Sequence, residues 1–322
     1  MHQWLRYRLL VALILSIPVQ LMADDFNAGL APFEITVEYD TVSKIIPYRE
    51  FALFHLPGEE VRIRAPGAVA GEYRLLLEGV PLPEEAPGDW RWRAPASAGL
   101  NRAELTRGDG ETVRLNLFVQ KRLSEVKDGY LNGYRIGQYP KASANASTIH
   151  QPPRGFIEVT RELFDVPVSP HFTLGQFLCK QQPGQWPKYL VLQPTLVIKL
   201  ELLLEEVNRR GIRTDGLHIM SGYRTPWYNR RIGNVTFSRH VWGAGADIFI
   251  DTVRDGRMDD LTGNGTSGLA EARILQQIVV ETFADPPLPQ LVGGLGLYGP
   301  RPHRGPFIHV DIRSGEARWE VP

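Results

Sequence analysis

The sequence of 322 residues contains a single cysteine, Cys179. No intramolecular disulfide can therefore form, even in a compartment that would permit one. Cys179 lies among apolar neighbours in the segment FTLGQFLCK, which favours a buried structural thiol over a metal ligand or a nucleophile. No cysteine lies at the end of the apolar N-terminal segment, which argues against a lipid-anchored lipoprotein.

The chain also lacks an excess of charge of either sign, because 36 Lys and Arg residues balance 36 Asp and Glu residues. The chain has no net positive charge that would attract an anionic polymer, so a nucleic-acid partner is not expected. Apolar residues make up 43% of the chain, which is enough for folded cores and argues against disorder. At this length and composition we expect two folded units.

The apolar run near the N-terminus, Leu9 to Ile17, is short for a membrane span. It follows Arg6 and Arg8 and precedes a short tail that ends at Ala23. This order of basic, apolar and small residues is typical of an export signal. We expect residues 1–23 to be a signal peptide that is cleaved after Ala23, with an uncleaved anchor as the alternative. The mature protein is then periplasmic or secreted and has no transmembrane domain.

Residues 24–125 consist of short apolar or alternating segments between turns rich in glycine and proline, among them FEITVEY, VRIRA, YRLLLEG and TVRLNLFVQ. Several strands at such spacing predict a small, immunoglobulin-like β-sandwich. Trp90 and Trp92 are expected to pack within it, with sugar stacking as the alternative. The segment carries no clustered acids, bases or metal ligands, so we expect an accessory domain that positions the protein or binds a partner.

Residues 126–169 form a looser segment that we interpret as a linker region. Gly129, Gly133 and Gly137 mark turns, and the stretches ASANAST and HQPPRG are typical of a connector. His150 lies beside a glutamine and two prolines, which favours an exposed loop residue over a metal ligand.

Residues 170–322 combine predicted helices and strands. The segment PTLVIKLELLLEEVNRRG has leucines at helical spacing and ends at Gly211, which predicts a helix with its stop signal. The late segment FIHVDI predicts a strand in which His309 and Asp311 share one face. Helices with a mainly antiparallel sheet indicate the α+β class.

Three side chains in this region have the chemistry of metal ligands. His240 and Asp247 flank the glycine-rich turn of SRHVWGAGAD, whose small residues let the chain fold back, and His309 offers a third ligand. A histidine in a strand is by itself more often structural, but the SRHVWGAGAD motif favours the metal. Two histidines and one aspartate, with a fourth position open, are the ligand set of a catalytic zinc ion and favour zinc over harder cations.

Three motifs, SGYRTPWYN, SRHVWGAGADI and FIHVDIRSG, follow HFTLGQFLCK in this order. The arrangement resembles the zinc D-Ala-D-Ala carboxypeptidases and murein endopeptidases of bacterial cell walls, in the superfamily of lysostaphin-type peptidases and hedgehog domains. The resemblance implies a hedgehog-like, D-Ala-D-Ala-peptidase-like domain over 170–322. It also implies that His240, Asp247 and His309 hold zinc and that Arg224 faces the substrate, a structural salt bridge of Arg224 being the alternative.

The general base is less clear from the motifs. Related peptidases often have an acidic residue three positions before the last zinc histidine, where this chain has Pro306. Asp311 and His303 are the remaining candidates, with Asp311 ahead, and either residue can instead support the zinc ligands.

A separate segment, Asp260 to Glu271, partly matches an EF-hand calcium loop. Oxygen side chains stand at its first, third and fifth positions, glycine at the sixth and glutamate at the twelfth. Thr262 and Asn264 replace the usual acids, and Gly268 supplies no side chain at position nine. The alternatives are a weak Ca²⁺ site and a plain insertion.

The sequence thus predicts an exported zinc metallopeptidase that hydrolyses D-amino-acid-containing bonds of peptidoglycan stem peptides. It acts as a D,D-carboxypeptidase or a cross-link endopeptidase, and motif spacing does not decide between the two. The alternative, which the proline at 306 motivates, is an inactive cell-wall or partner-binding protein that retains the peptidase fold.

Overall fold

The computed structural model describes residues 26–40, 42–141, 150–286, 288–313 and 315–322. The predicted signal peptide, residues 1–23, lies outside the described residues. Within the described part of the chain, every helix is too short or too polar to cross a lipid bilayer. The chain forms two compact units: a larger one of Ala28–Glu201 and His218–Ile248, and a smaller one that includes Leu202–Leu217 and Phe249–Pro322.

Among the described residues, nine strands lie between 36 and 119 in the larger unit. They are β1 (Thr36–Tyr39), β2 (Val42–Ile45), β3 (Glu50–His55), β4 (Glu60–Arg64), β5 (Tyr73–Leu77), β6 (Val80–Pro81), β7 (Asp89–Arg93), β8 (Gly99–Arg107) and β9 (Thr112–Val119). One sheet is antiparallel with the order β2-β1-β4-β7. The second has the order β3-β9-β8-β5-β6, and only its β3–β9 pair is parallel.

The strands of the first sheet alternate between apolar and charged residues, as a sheet with one buried face requires. On β4, Val61 and Ile63 are fully buried between charged neighbours that reach towards solvent. On β7, Trp90 and Trp92 are 1% and 6% exposed, so neither ring has a free face for a sugar. The packing role predicted for the two tryptophans is confirmed.

The two sheets pack against each other through a buried histidine. The ring of His55 on β3 lies 4.6 Å from the ring of Tyr39 on β1 and 5.8 Å from that of Trp92 on β7, measured between centroids. His55 is fully buried and its two ring nitrogens have no hydrogen-bond partner among the described residues. The side chain therefore serves as an apolar ring of the core.

The described part of the chain between 121 and 190 adds five short strands: β10 (Lys121–Arg122), β11 (Tyr130–Leu131), β12 (Tyr134–Arg135), β13 (Gly155–Val159) and β14 (Lys188–Leu190). Strands β10, β13 and β14 form an antiparallel sheet, and β11 and β12 form a hairpin.

The remaining elements carry the predicted site. They are α1 (Pro194–Arg209), β15 (His218–Ser221), α2 (Pro226–Arg231), β16 (Gly245–Phe249), α3 (Leu269–Thr282), β17 (Gly294–Tyr298), β18 (Phe307–Asp311) and β19 (Ala317–Val321). Helix α1 buries its leucine stripe and stops before Gly211, whose φ of 85° favours glycine. The predicted helix, its stop signal and the late strand are confirmed.

In the smaller unit, β17 pairs antiparallel with β18 and parallel with β19. Gly296 on β17 stands opposite both His309 and Trp319. A Cβ atom at Gly296 would lie 2.4 Å from the indole ring of Trp319, so the glycine makes room for that ring. The indole centroid consequently lies 5.3 Å from the imidazole centroid of His309.

Helices combined with mostly antiparallel sheets confirm the α+β class. The hedgehog-like arrangement and the predicted boundaries at 24–125, 126–169 and 170–322 stay predictions.

Candidate metal centre

His240 lies in a short 3-10 helix, Arg239–Trp242, that ends at Gly243. Gly243 has a φ of 63°, and a Cβ atom there would lie 2.1 Å from the carbonyl oxygen of Val191, so only glycine fits. The chain reverses at this point and enters β16, which carries Asp247. The fold-back predicted from the small residues 243–246 is confirmed, because Asp247 Oδ1 lies 3.2 Å from His240 Nε2.

A backbone carbonyl sets the orientation of the His240 ring. Nδ1 of His240 lies 2.6 Å from the carbonyl oxygen of Gly222. A carbonyl oxygen only accepts hydrogen bonds, so Nδ1 carries the proton and donates it. In the neutral imidazole, Nε2 then presents a lone pair towards Asp247 Oδ1. Nε2 of His240 and Oδ1 of Asp247 then both carry lone pairs at this distance, which favours a cation bound to both atoms.

His309 on β18 completes the group. One ligand atom each from His240, Asp247 and His309 lie within 4.8 Å of one another, and the three side chains are buried. Two ligand atoms of a tetrahedral zinc ion, bonded at about 2.0 Å, lie about 3.3 Å apart, close to the separation of His240 Nε2 and Asp247 Oδ1. Among the described residues this is the one group of three or more such side chains. The donor set, and the spacing of the atoms of His240 and Asp247, fit zinc.

Arg224 contacts one member of this group directly. Its guanidinium donates from Nη2 to Asp247 Oδ2 and from Nε to Ser221 Oγ, the latter at 2.9 Å. Its backbone N–H donates to the carbonyl oxygen of His240 at 3.1 Å. The salt bridge considered for Arg224 is therefore present, and it holds the carboxylate of Asp247. The substrate-facing role of Arg224 stays a prediction.

Asp311 is fully buried beside His309. Its carboxylate accepts hydrogen bonds from the backbone N–H of Gly294 at 2.7 Å, from Nε and Nη2 of Arg313, and from Nε2 of His309 at 3.2 Å. Burial alone raises the pKa of a carboxyl group, but hydrogen bonds from His309 and Arg313 outweigh it and hold the pKa of Asp311 well below its usual range. If His309 donates from Nε2, its Nδ1 is left as the ligand atom.

Residues 170–267 match the model of the Peptidase M15 family. We refer to residues 170–267 as the M15 segment. The match confirms the resemblance to the zinc D-Ala-D-Ala peptidases and supports a metallopeptidase. It includes His240 and Asp247, whereas His309 lies beyond its last residue. No curated protein matches the chain.

His303, the second candidate for the general base, lies after the M15 segment. It is exposed in a turn closed by the backbone pairing of Arg301 with Arg304. The group of ligand atoms contains neither His303 nor Asp311. The assignment of a general base to Asp311 or His303 stays a prediction, and the contacts of Asp311 are those of a residue that supports His309.

In the proposed calcium loop, the carboxylates accept hydrogen bonds from other residues of the same loop. Asp260 accepts several backbone N–H groups, and the hydrogen bond from Gly265 is the largest cause of its lowered pKa. Glu271 accepts hydrogen bonds from the Thr262 hydroxyl and from the backbone N–H of Gly268, where it caps α3. Both carboxylates therefore have hydrogen-bond partners within the loop. The calcium site stays a prediction.

Cys179 also lies in the M15 segment and is 3% exposed. Burial raises the pKa of its thiol, which keeps the sulfur protonated. The structural role predicted for this cysteine is confirmed.

Sequence reasoning missed Gly222, Gly294 and Arg313. Arg313 continues the alternation of His309 and Asp311 by two residues, so its place on the same face was readable from the sequence. The two glycines left no such signal, because each contacts a residue 17 or more positions away.

Proposed function

We propose that the protein is an exported zinc peptidase that hydrolyses D-amino-acid-containing peptide bonds in peptidoglycan, as a D,D-carboxypeptidase or a cross-link endopeptidase. The observation that carries the proposal is the buried group of His240, Asp247 and His309, two of which lie in the M15 segment. When bound in such a site, zinc supplies Lewis-acid polarisation of the scissile carbonyl and lowers the pKa of water.

The residues around this group orient the ligands. Gly222 fixes the proton of His240 on Nδ1, Arg224 holds one oxygen of Asp247, and Asp311 contacts the ring of His309. Such partners raise the basicity of metal ligands and set their geometry before substrate arrives. A guanidinium next to the reacting carbonyl can also pair with a substrate carboxylate or with developing negative charge, which keeps Arg224 as a proposed substrate contact.

The proposed architecture follows the resemblance. A hedgehog-like peptidase domain over 170–322 holds the metal, and the β-strands of 24–125 form an accessory domain that positions it on the cell wall. Export by residues 1–23 brings the enzyme to its substrate in the periplasm or outside the cell.

A digest of purified muropeptides tests the activity. The protein is stripped with a chelator, reloaded with zinc and incubated with monomeric and cross-linked muropeptides, and the products are read by mass spectrometry. Zinc-dependent loss of a terminal D-alanine identifies a carboxypeptidase, and conversion of dimers to monomers identifies an endopeptidase. Asp247→Asn is expected to abolish both, whereas Asp285→Asn, at an exposed position, is expected to match the wild type.

The absence of zinc-dependent cleavage in the reloaded wild-type protein would contradict the proposed activity. If the protein still binds zinc in that case, the outcome supports a binding protein that retains the peptidase fold without turnover.

A further inference from the structure

Tyr139 lies outside the M15 segment, in the stretch that the sequence marks as a linker, yet its hydroxyl contacts the helix that carries His240. The oxygen of Tyr139 lies 3.1 Å from the carbonyl oxygen of Val241 and 3.0 Å from the hydroxyl oxygen of Tyr223. The carbonyl can only accept, so Tyr139 donates to Val241 and accepts from Tyr223. The two hydroxyl groups thus form a directed chain that ends on the residue next to His240.

The two neighbours of Tyr223 in sequence bond to His240 itself. Gly222 accepts the hydrogen bond from His240 Nδ1, and the backbone N–H of Arg224 donates to the carbonyl oxygen of His240. Gly222 and Arg224 therefore bond to His240 directly. Tyr223, between them, is connected to the helix through the hydroxyl of Tyr139.

Backbone contacts fix the position of Tyr139. The N–H of Trp227 donates to the carbonyl oxygen of Ile136 at 3.1 Å, and Arg230 Nη1 donates to that of Gln138 at 3.0 Å. A Cβ atom at Gly137 would lie 2.8 Å from both the backbone nitrogen and the Cβ atom of Trp227, so glycine allows this close approach. Residues 136–138 are therefore bound to α2, and the next residue is directed at the helix of His240.

The ring of Tyr139 packs at the same place as its hydroxyl. Its centroid lies 6.0 Å from that of Trp242, at an interplanar angle of 64°, and 6.3 Å from that of Phe156. Packing alone would be served equally well by phenylalanine. The hydroxyl distinguishes tyrosine from phenylalanine here, and it forms hydrogen bonds with Val241 and Tyr223.

We propose that Tyr139 is a positioning residue for the zinc ligand His240: its hydroxyl fixes the 3-10 helix Arg239–Trp242 and thereby the direction of Nε2. The proposal rests on the proposed function, since it takes His240 as a zinc ligand. It adds a determinant of metal affinity from a stretch of the chain outside the M15 segment.

Tyr139→Phe tests the proposal because it keeps the ring and removes only the hydroxyl. The zinc dissociation constant, measured by competition with a chromogenic chelator, is expected to rise by up to about tenfold, the lower end of the range for partners bonded directly to metal ligands, because Tyr139 acts through the neighbouring residue Val241. The absorption bands of the cobalt-substituted protein are expected to shift, and kcat is expected to fall with KM little changed. These readouts report the geometry at the metal and not the stability of the fold.

Tyr189→Phe is the matched control. Tyr189 is a fully buried tyrosine whose hydroxyl also has two partners, Glu158 and Asn132. Removal of the Tyr189 hydroxyl is expected to destabilise the fold about as much as removal of the Tyr139 hydroxyl does. The zinc affinity and the cobalt spectrum are expected to stay unchanged.

The outcomes separate the two proposals. A wild-type protein that binds no zinc overturns the proposed function, whatever the variant does. A wild-type protein that binds zinc, with Tyr139→Phe equal to it in affinity, spectrum and kcat, overturns the role of Tyr139. If Tyr139→Phe fails to fold, Gly137→Ala decides, because a Cβ atom there would clash with Trp227 and move Tyr139 away from Val241: weakened zinc binding supports the proposal and unchanged binding contradicts it.

Discussion

The Nδ1 atom of His240 donates to the carbonyl oxygen of Gly222 at 2.6 Å, across a gap of 18 residues in sequence. This bond selects the tautomer that leaves Nε2 for a metal ion. A Cβ atom at Gly222 would lie 2.7 Å from the Cα atom of Phe177, so the carbonyl can only hold this place if residue 222 is glycine.

Gly222→Ala is therefore expected to weaken zinc binding about tenfold to hundredfold, because the displaced carbonyl no longer orients His240. Competition with a chelator measures the change. Gly216→Ala is the control, since a Cβ atom there meets no atom within 4 Å. Equal zinc affinity in both variants would show that the carbonyl of Gly222 does not orient His240 for zinc.

The sequence predicted the local part of this site and not its long-range part. Alternation along FIHVDI put His309 and Asp311 on one face, and their side chains are in contact 3.2 Å apart. Small residues after Trp242 predicted the fold-back of Asp247. The bond from His240 to Gly222 and the chain from Tyr223 to Tyr139 join distant segments, and no periodicity or spacing encodes such contacts.

Arg224→Lys is expected to lower zinc affinity about tenfold or more, because lysine cannot hold Asp247 and Ser221 at once as the planar guanidinium does. Zinc competition and steady-state kinetics on a muropeptide measure it. Arg254→Lys is the control, since Arg254 pairs with Asp215 on the surface. Normal zinc affinity with a raised KM would instead assign Arg224 to the substrate alone.

Asp311→Asn separates the two roles considered for this residue. An amide group places a donor against Arg313 and His309, so loss of orientation is expected to weaken zinc binding about tenfold to hundredfold. Asp89→Asn is the matched control, because Asp89 is likewise buried and paired with an arginine, Arg62, in the β-strands of 24–125. Unchanged zinc affinity with lost turnover would make Asp311 the general base.

His55 makes the stability of the β-strands of 24–125 dependent on pH. Burial, and to a lesser extent the charge of Arg154, lower its pKa from 6.5 to about 4, although Glu59 lies 3.8 Å from its Nδ1. The folded pKa is depressed, so between about pH 4 and 6.5 only the unfolded chain binds the proton. Stability is complete above pH 6.5 and falls by about 3 kcal/mol as the pH drops to 4.

Urea unfolding followed by tryptophan fluorescence at a series of pH values measures this loss. His55→Phe keeps a ring between Tyr39 and Trp92 and is expected to flatten the dependence over this range. A urea midpoint that falls equally with decreasing pH in the wild type and in His55→Phe would show that other groups cause the loss of stability.

Zinc titration of the metal-free protein tests the central claim most directly, with His309→Ala beside the wild type, because His309 lies beyond the M15 segment and completes the ligand set. The expected result is one tightly bound zinc per wild-type chain, and loss of that binding in His309→Ala while the α-helical and β-sheet signals of circular dichroism persist. Equal binding by both proteins, or no binding by the wild type, would contradict it.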